Sequence, residues 1–204
     1  MPEQGRPAIF LDKDGTLITD IPYNIDPRRI TLKADAIQAL ALLARLGSPL
    51  VVVSNQSGVA RGLFSEAALQ GVQLRLAELF ASCGATLAGC YWCPHHPDGV
   101  MPPHAIHCTC RKPAPGLLLQ AAQELGLSLE HSWMVGDTLA DVTAGLRAGC
   151  HSILVTPTVS MPLVADGHVP YHRVPDLQAA AACIAAARMQ DPWRQHRAAA
   201  APPP

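Results

Sequence analysis

The chain lacks a surplus of charge. Fifteen Lys and Arg stand against sixteen Asp and Glu in 204 residues, for a formal net charge of −1. A protein that grips nucleic acid through a large cationic face is therefore not expected, although a local basic pocket for phosphate is still allowed. Long hydrophobic runs are missing too. The longest, Ala179 to Ala187, is far short of the roughly 20 residues a bilayer span requires. The opening Met1-Pro2-Glu3-Gln4-Gly5-Arg6 has no charged-then-apolar leader pattern, and no internal repeat is visible. The expectation is a cytoplasmic protein, a monomer, with no membrane and no nucleic-acid partner.

What is present is apolar: 49% of the residues are hydrophobic, ample for a core, and the length suits one domain over 1–190. An Ala/Pro-rich tail over 191–204 is expected to be disordered. Seven cysteines need a role, because disulfides rarely persist in a reducing compartment.

Strand-like and helix-like segments alternate. Ala8–Asp12, Pro49–Ser54, Thr86–Trp92, Trp133–Gly136 and Ser152–Val155 read as strands. Helices are predicted over Asp35–Leu46 (stripe Ile37, Leu40, Leu43, Leu46), Ser65–Ser82, Pro115–Leu125, Leu139–Ala148 and Asp176–Arg188. That alternation predicts an α/β fold, a Rossmann-like doubly wound parallel sheet with helices on both faces. The long irregular insert is 93–113, rich in Pro, His and Cys, and such a loop needs some source of stability other than a core.

Polar residues gather where strands end. In Ile9-Phe10-Leu11-Asp12-Lys13-Asp14-Gly15-Thr16, residues i and i+2 of an extended chain share a side, so Asp12 and Asp14 can face one small volume. Two carboxylates there repel unless a cation neutralises them or one takes a proton. The bland alternative is a turn with two solvated acids. Ser54-Asn55-Gln56-Ser57-Gly58 follows a second strand and can hold phosphoryl oxygens by hydroxyl and amide, or can be a polar turn. Arg111-Lys112-Pro113 puts cations before a helix, against its dipole. In Gly136-Asp137-Thr138 with Asp141, Asp137 can hold a cation or cap a helix.

Taken together and in order, these four stretches resemble the motifs of the haloacid-dehalogenase (HAD) superfamily of phosphohydrolases, over about residues 8–156. The resemblance implies a HAD fold and an aspartyl-phosphate route. Asp12 would be the nucleophile and Asp14 the acid and base, with Ser54 and Lys112 stabilising the transferring oxygens. Mg²⁺ would sit on Asp12, the Asp14 carbonyl and Asp137. The gaps between motifs leave little room for a cap domain.

Within 93–113, Cys93-Pro94-His95 and Cys108-Thr109-Cys110 offer four ligands in two close pairs, which suits tetrahedral structural Zn²⁺. Cys90 could replace His95, and His96, His104 and His107 are further donors. Cys83, Cys150 and Cys183 read as small core residues. The loop, with Ser54-Asn55-Gln56-Ser57-Gly58-Val59-Ala60-Arg61-Gly62, is similar to that of the D-glycero-D-manno-heptose 1,7-bisphosphate 7-phosphatases. Histidinol-phosphate phosphatases are near relatives.

That similarity implies a small phosphorylated metabolite, a sugar bisphosphate, in nucleotide-activated heptose synthesis. It implies substrate contacts from Asp20, Tyr23, Ser54, Asn55, Gln56, Ser57, Arg111, Lys112 and the Thr138 position. Two residues depart from the family pattern, Lys13 for Arg and Thr138 for Lys. Lys13 is expected to point away and leave the chemistry alone. A non-catalytic zinc-binding module is the alternative of another class.

Overall fold

The computed structural model describes residues 5–157 and 171–190; the tail expected over 191–204 lies outside them. Six strands form one parallel sheet: β1 Arg6–Leu11, β2 Leu50–Asn55, β3 Leu87–Cys93, β4 Leu127–Gly136, β5 His151–Val155 and β6 Tyr171–Val174, in the order β3-β2-β1-β4-β5-β6. Five α-helices connect and flank them: α1 Ala34–Arg45, α2 Leu69–Ser82, α3 Gly116–Leu125, α4 Leu139–Arg147 and α5 Leu177–Gln190.

Strand alternation explains the two layers. Ile9, Leu11, Val52 and Val135 pack on one face with Leu40, Leu43, Val72, Leu76 and Ile184, from α1, α2 and α5. Ala8, Phe10, Val51, Val53 and Met134 pack on the other with Leu117, Leu118 and Ala144, from α3 and α4. Strands buried on both faces read as continuous apolar runs, and β1 and β2 do.

Three expectations need correction. Ile37 is 49% exposed, and α1 instead buries Ala36, Ala39, Leu40 and Leu43. Alanines complete the stripe there, and a pattern built on large residues overlooks them. β4 begins at Leu127, six residues earlier than Trp133; its first half pairs with Arg6 and Pro7 and is only partly buried. β6 was not expected. It is a four-residue edge strand of mixed polarity that pairs with β5 alone.

The sheet order reverses at β1, which leads to β2 on one side and meets β4 on the other. Open α/β sheets bind ligands at such a switch point, beyond the carboxyl ends of the strands. Asp12 follows β1 directly, and Asp137 follows β4. Among the described residues every strand belongs to this sheet, and between its elements lie 3-10 turns at Pro27–Arg29 and Glu66–Ala68 and the Cys/His loop.

Candidate active site

Asp12 is held by the ladder that forms the sheet: its N–H donates to the Val135 carbonyl at 2.9 Å. Its carboxylate is buried and meets the Lys112 ammonium, with Nζ 2.5 Å from Oδ1. Lys112 is 4% exposed, and its ammonium also reaches Asp141 Oδ1 at 2.6 Å and the Val53 carbonyl at 2.8 Å. Asn55 fixes Lys112 from behind. Its side-chain oxygen accepts from the Lys112 N–H at 3.0 Å, and its amide donates to the Lys112 carbonyl at 3.1 Å. Lys112 lies in the loop four residues ahead of α3. The burial of its charge follows from two carboxylates and a carbonyl, and not from any helix start.

Electrostatics at this point are frustrated. Asp12, Asp137 and Asp141 bring carboxylate oxygens within 4.8 Å of one another, against one ammonium. Burial, opposed by Lys112 and helped by repulsion from Asp141 and Asp14, pushes the Asp12 carboxyl up to about 7. Burial and Asp141 also raise Asp137. Burial alone would lower the Lys112 ammonium, but Asp12 and Asp141 outweigh it, so it stays charged. Three carboxylates facing one cation leave a deficit of two positive charges, and an all-oxygen donor set suits a hard divalent ion such as magnesium.

The oxygens are unequally free. Asp141 Oδ1 accepts from Lys112, and its Oδ2 accepts from the Thr138 N–H and hydroxyl. Asp137 Oδ1 accepts from the Thr16 hydroxyl at 3.4 Å, and Lys112 does not reach it within hydrogen-bond distance. Asp12 and Asp137 therefore offer the freer oxygens, and these two would hold a cation. Two glycines make the approach possible: a Cβ on Gly15 would lie 2.1 Å from Asp137 Oδ2, and one on Gly136 would lie 2.3 Å from the Asp141 side chain.

Asp14 faces the adjoining cavity, about 300 Å³, lined by Lys13, Asp14, Asp20, Tyr23, Asn55, Gln56 and Ser57 among others. Gln56 donates to Asp14 Oδ2 at 3.1 Å and to Ser54 Oγ at 2.8 Å. Tyr23 sits at φ +56, uncommon for a bulky residue, and is half exposed at the rim.

The Cys/His residues also converge. Cys93, His95, Cys108 and Cys110 bring their donor atoms within 4.8 Å of one another. The sulfur–sulfur separations are 3.2 to 3.6 Å, and His95 Nδ1 lies 3.3 Å from Cys110 Sγ. A tetrahedron around zinc with Zn–S near 2.3 Å has edges of about 3.8 Å, so these donors need only a small outward shift. Cys90 is excluded by strand parity: Cys93 packs on the α3 face and Cys90 on the opposite one. Cys150 is buried in the core layer beside α3 and α4, and Cys83 and Cys183 pack against the core on the opposite face.

A HAD-hydrolase-like family model matches residues 109–180. A D-glycero-beta-D-manno-heptose-1,7-bisphosphate 7-phosphatase of Yersinia pestis is 40% identical over 164 residues, covering 80% of this chain and 87% of that protein. The chain belongs to the heptose-bisphosphate phosphatase family of the HAD superfamily.

Solved structures of HAD phosphatases superpose closely. One from Mesorhizobium loti has TM-score 0.76 and 35% identity, over 90% of this chain and 96% of that one. The D,D-heptose 1,7-bisphosphate phosphatase of B. bronchiseptica, complexed with magnesium and phosphate, has TM-score 0.75 and 29% identity, over 89% and 99%.

Within this HAD phosphatase, several residues depart from the sequence-based reading. Thr138 is the N-cap of α4, in a capping box with Asp141, so its hydroxyl is engaged in the first turn of the helix. The same box settles the alternative for Asp137, which is not the cap. Arg111 rests its guanidinium on the His95 carbonyl at 3.4 Å. Lys13 does not point away: it is 2% exposed, and its Nζ lies 2.9 Å from Asp14 Oδ1. Asp141, matched to a motif but given no role, is the second counter-ion of Lys112. Its spacing of four from Asp137 was the available signal.

Proposed function

We propose that the protein removes the 7-phosphate of D-glycero-D-manno-heptose 1,7-bisphosphate through an aspartyl-phosphate at Asp12, in nucleotide-activated heptose synthesis. The observation that carries the chemistry is the buried Asp12 carboxylate, fixed by Lys112 at the carboxyl end of β1 beside a cavity that also presents Asp14. The names of the relatives support the substrate.

Asp12 attacks phosphorus and the P–O bond to the sugar breaks. Asp14 gives its proton to the leaving alkoxide, then takes one from the water that cleaves the acyl phosphate. Lys112 and Ser54 hold the non-bridging oxygens as charge builds on them. Asp12 and Asp137, with the Asp14 carbonyl, would hold Mg²⁺, which when bound neutralises phosphate charge. Asp20, Tyr23, Gln56 and Ser57 line the space for the sugar. Cys93, His95, Cys108 and Cys110 would hold a structural Zn²⁺, and the chain acts as a capless monomer on a small phosphorylated metabolite.

The test is a phosphate-release screen with Mg²⁺ over sugar bisphosphates and histidinol phosphate. The heptose bisphosphate should give the highest kcat/KM, with one phosphate released per molecule. A clear preference for histidinol phosphate would overturn the substrate assignment and leave the phosphatase chemistry standing.

A further inference from the structure

Lys13 stands beside the proposed nucleophile and points into the protein. Its side chain is among the largest fully buried ones in the chain, and a buried ammonium is costly unless paired. The neighbouring Cys90 thiol, pushed up to about 12 by burial against the pull of Lys13, stays neutral. The counter-charge comes from Asp14, whose Oδ1 is 2.9 Å from Nζ.

The other Asp14 oxygen, Oδ2, accepts from the Gln56 amide at 3.1 Å. A carboxylate only accepts, so Gln56 must present its NH₂ here. One donor on each oxygen fixes the rotation of the carboxylate as well as its position. The same NH₂ donates to Ser54 Oγ at 2.8 Å. That fills an acceptor site on the hydroxyl and leaves its hydrogen free to point elsewhere.

We propose that Lys13 and Gln56 are positioning residues that clamp Asp14 in the direction needed for proton transfer, with Gln56 also turning the Ser54 hydroxyl hydrogen toward the phosphoryl oxygens. This rests on the reading of Asp14 as the acid and base. It assigns Lys13 a role in the reaction, where the sequence pattern suggested none.

A misdirected acid hurts most when the leaving group is basic. The test compares kcat/KM for phenyl phosphate, whose leaving phenolate is the more basic, with that for p-nitrophenyl phosphate. Lys13→Met should lose roughly tenfold or more on phenyl phosphate beyond its loss on p-nitrophenyl phosphate. Lys13→Arg should recover most of that difference, since it restores a cationic donor. Gln56→Leu should shift the ratio in the same direction, and it keeps the proposal open to refutation if Lys13→Met folds poorly.

Equal losses on both esters in Lys13→Met and Gln56→Leu would overturn the clamp, as would a Lys13→Arg variant no better than Lys13→Met. Neither ester carries a sugar, so a wrong sugar assignment leaves this comparison intact. A failed clamp likewise leaves the sugar screen intact.

Discussion

The protein brings two groups of candidate metal ligands together by different means. Asp12 and Asp137 follow directly after two neighbouring strands, and the parallel ladder between β1 and β4 sets their separation. Cys93 ends β3, while His95, Cys108 and Cys110 come from a loop without helix or strand. The first group is positioned by the sheet and partly neutralised by Lys112. The second rests on the α3-side core, where Cys93 is buried and Cys108 and Cys110 pack, but three of its members come from a loop outside the ladder. The β1–β4 ladder holds repelling carboxylates in place, whereas a zinc ion on the Cys/His quartet would add its bond energy to a Pro-rich loop without helix or strand.

The largest effect should come from the sheet-borne group. Asp12→Asn keeps the shape and removes the nucleophile, so kcat should fall roughly 10³-fold or more. Zinc content should stay at about one per chain, because the loop group does not depend on Asp12. Phosphate release at an unchanged rate would rule out the covalent route.

Cys108→Ala attacks the other group. Metal analysis should show zinc falling from about one per chain to near none, and amide exchange should speed up across 94–113 while β1, β2 and β4 keep their protection. Unchanged zinc would point to a different ligand set. Equal loss of protection in the sheet would mean that the two regions are not independent.

The same contrast explains what could be read from the sequence. Asp12, Ser54, Lys112 and Asp137 were legible because each ends an apolar run or precedes a helix, Asp14 because it stands two residues after Asp12, and the Cys/His quartet because Cys and His recur in close pairs. What was not legible depends on three-dimensional neighbours. Lys13 looks like an outward residue in an extended chain, but the turn after Asp12 brings it onto Asp14. Asp141 gains its role only because α4 places it against Lys112 from a distant loop. β6 and the start of β4 are edge or half-buried strands with Glu130, His131, His172 and Arg173, so they have no apolar run to announce them.

The smallest effect concerns the balance between protons and cation at the sheet-borne group. Without a divalent ion, the Asp12 carboxyl in the folded protein is raised from 3.8 to about 7, and Asp137 is raised too. Between those values the folded state binds more protons than the unfolded one, so metal-free stability should fall as pH rises from about 4 to about 7. A cation needs the ionised carboxylates, so its binding should strengthen over the same range. The gain in Tm from saturating Mg²⁺ should therefore be larger at pH 8 than at pH 6, and about 5 to 10 °C at pH 8 if the ion is present near 100 times its Kd. Asp12→Asn removes the carboxylate that burial disfavours, so metal-free Asp12→Asn should lose less stability between pH 6 and pH 8 than the unaltered protein, with Asp137 left to supply the remainder. Thermal melts at both pH values, with and without Mg²⁺, decide it: a gain independent of pH would mean that the cation does not compete with protons at Asp12.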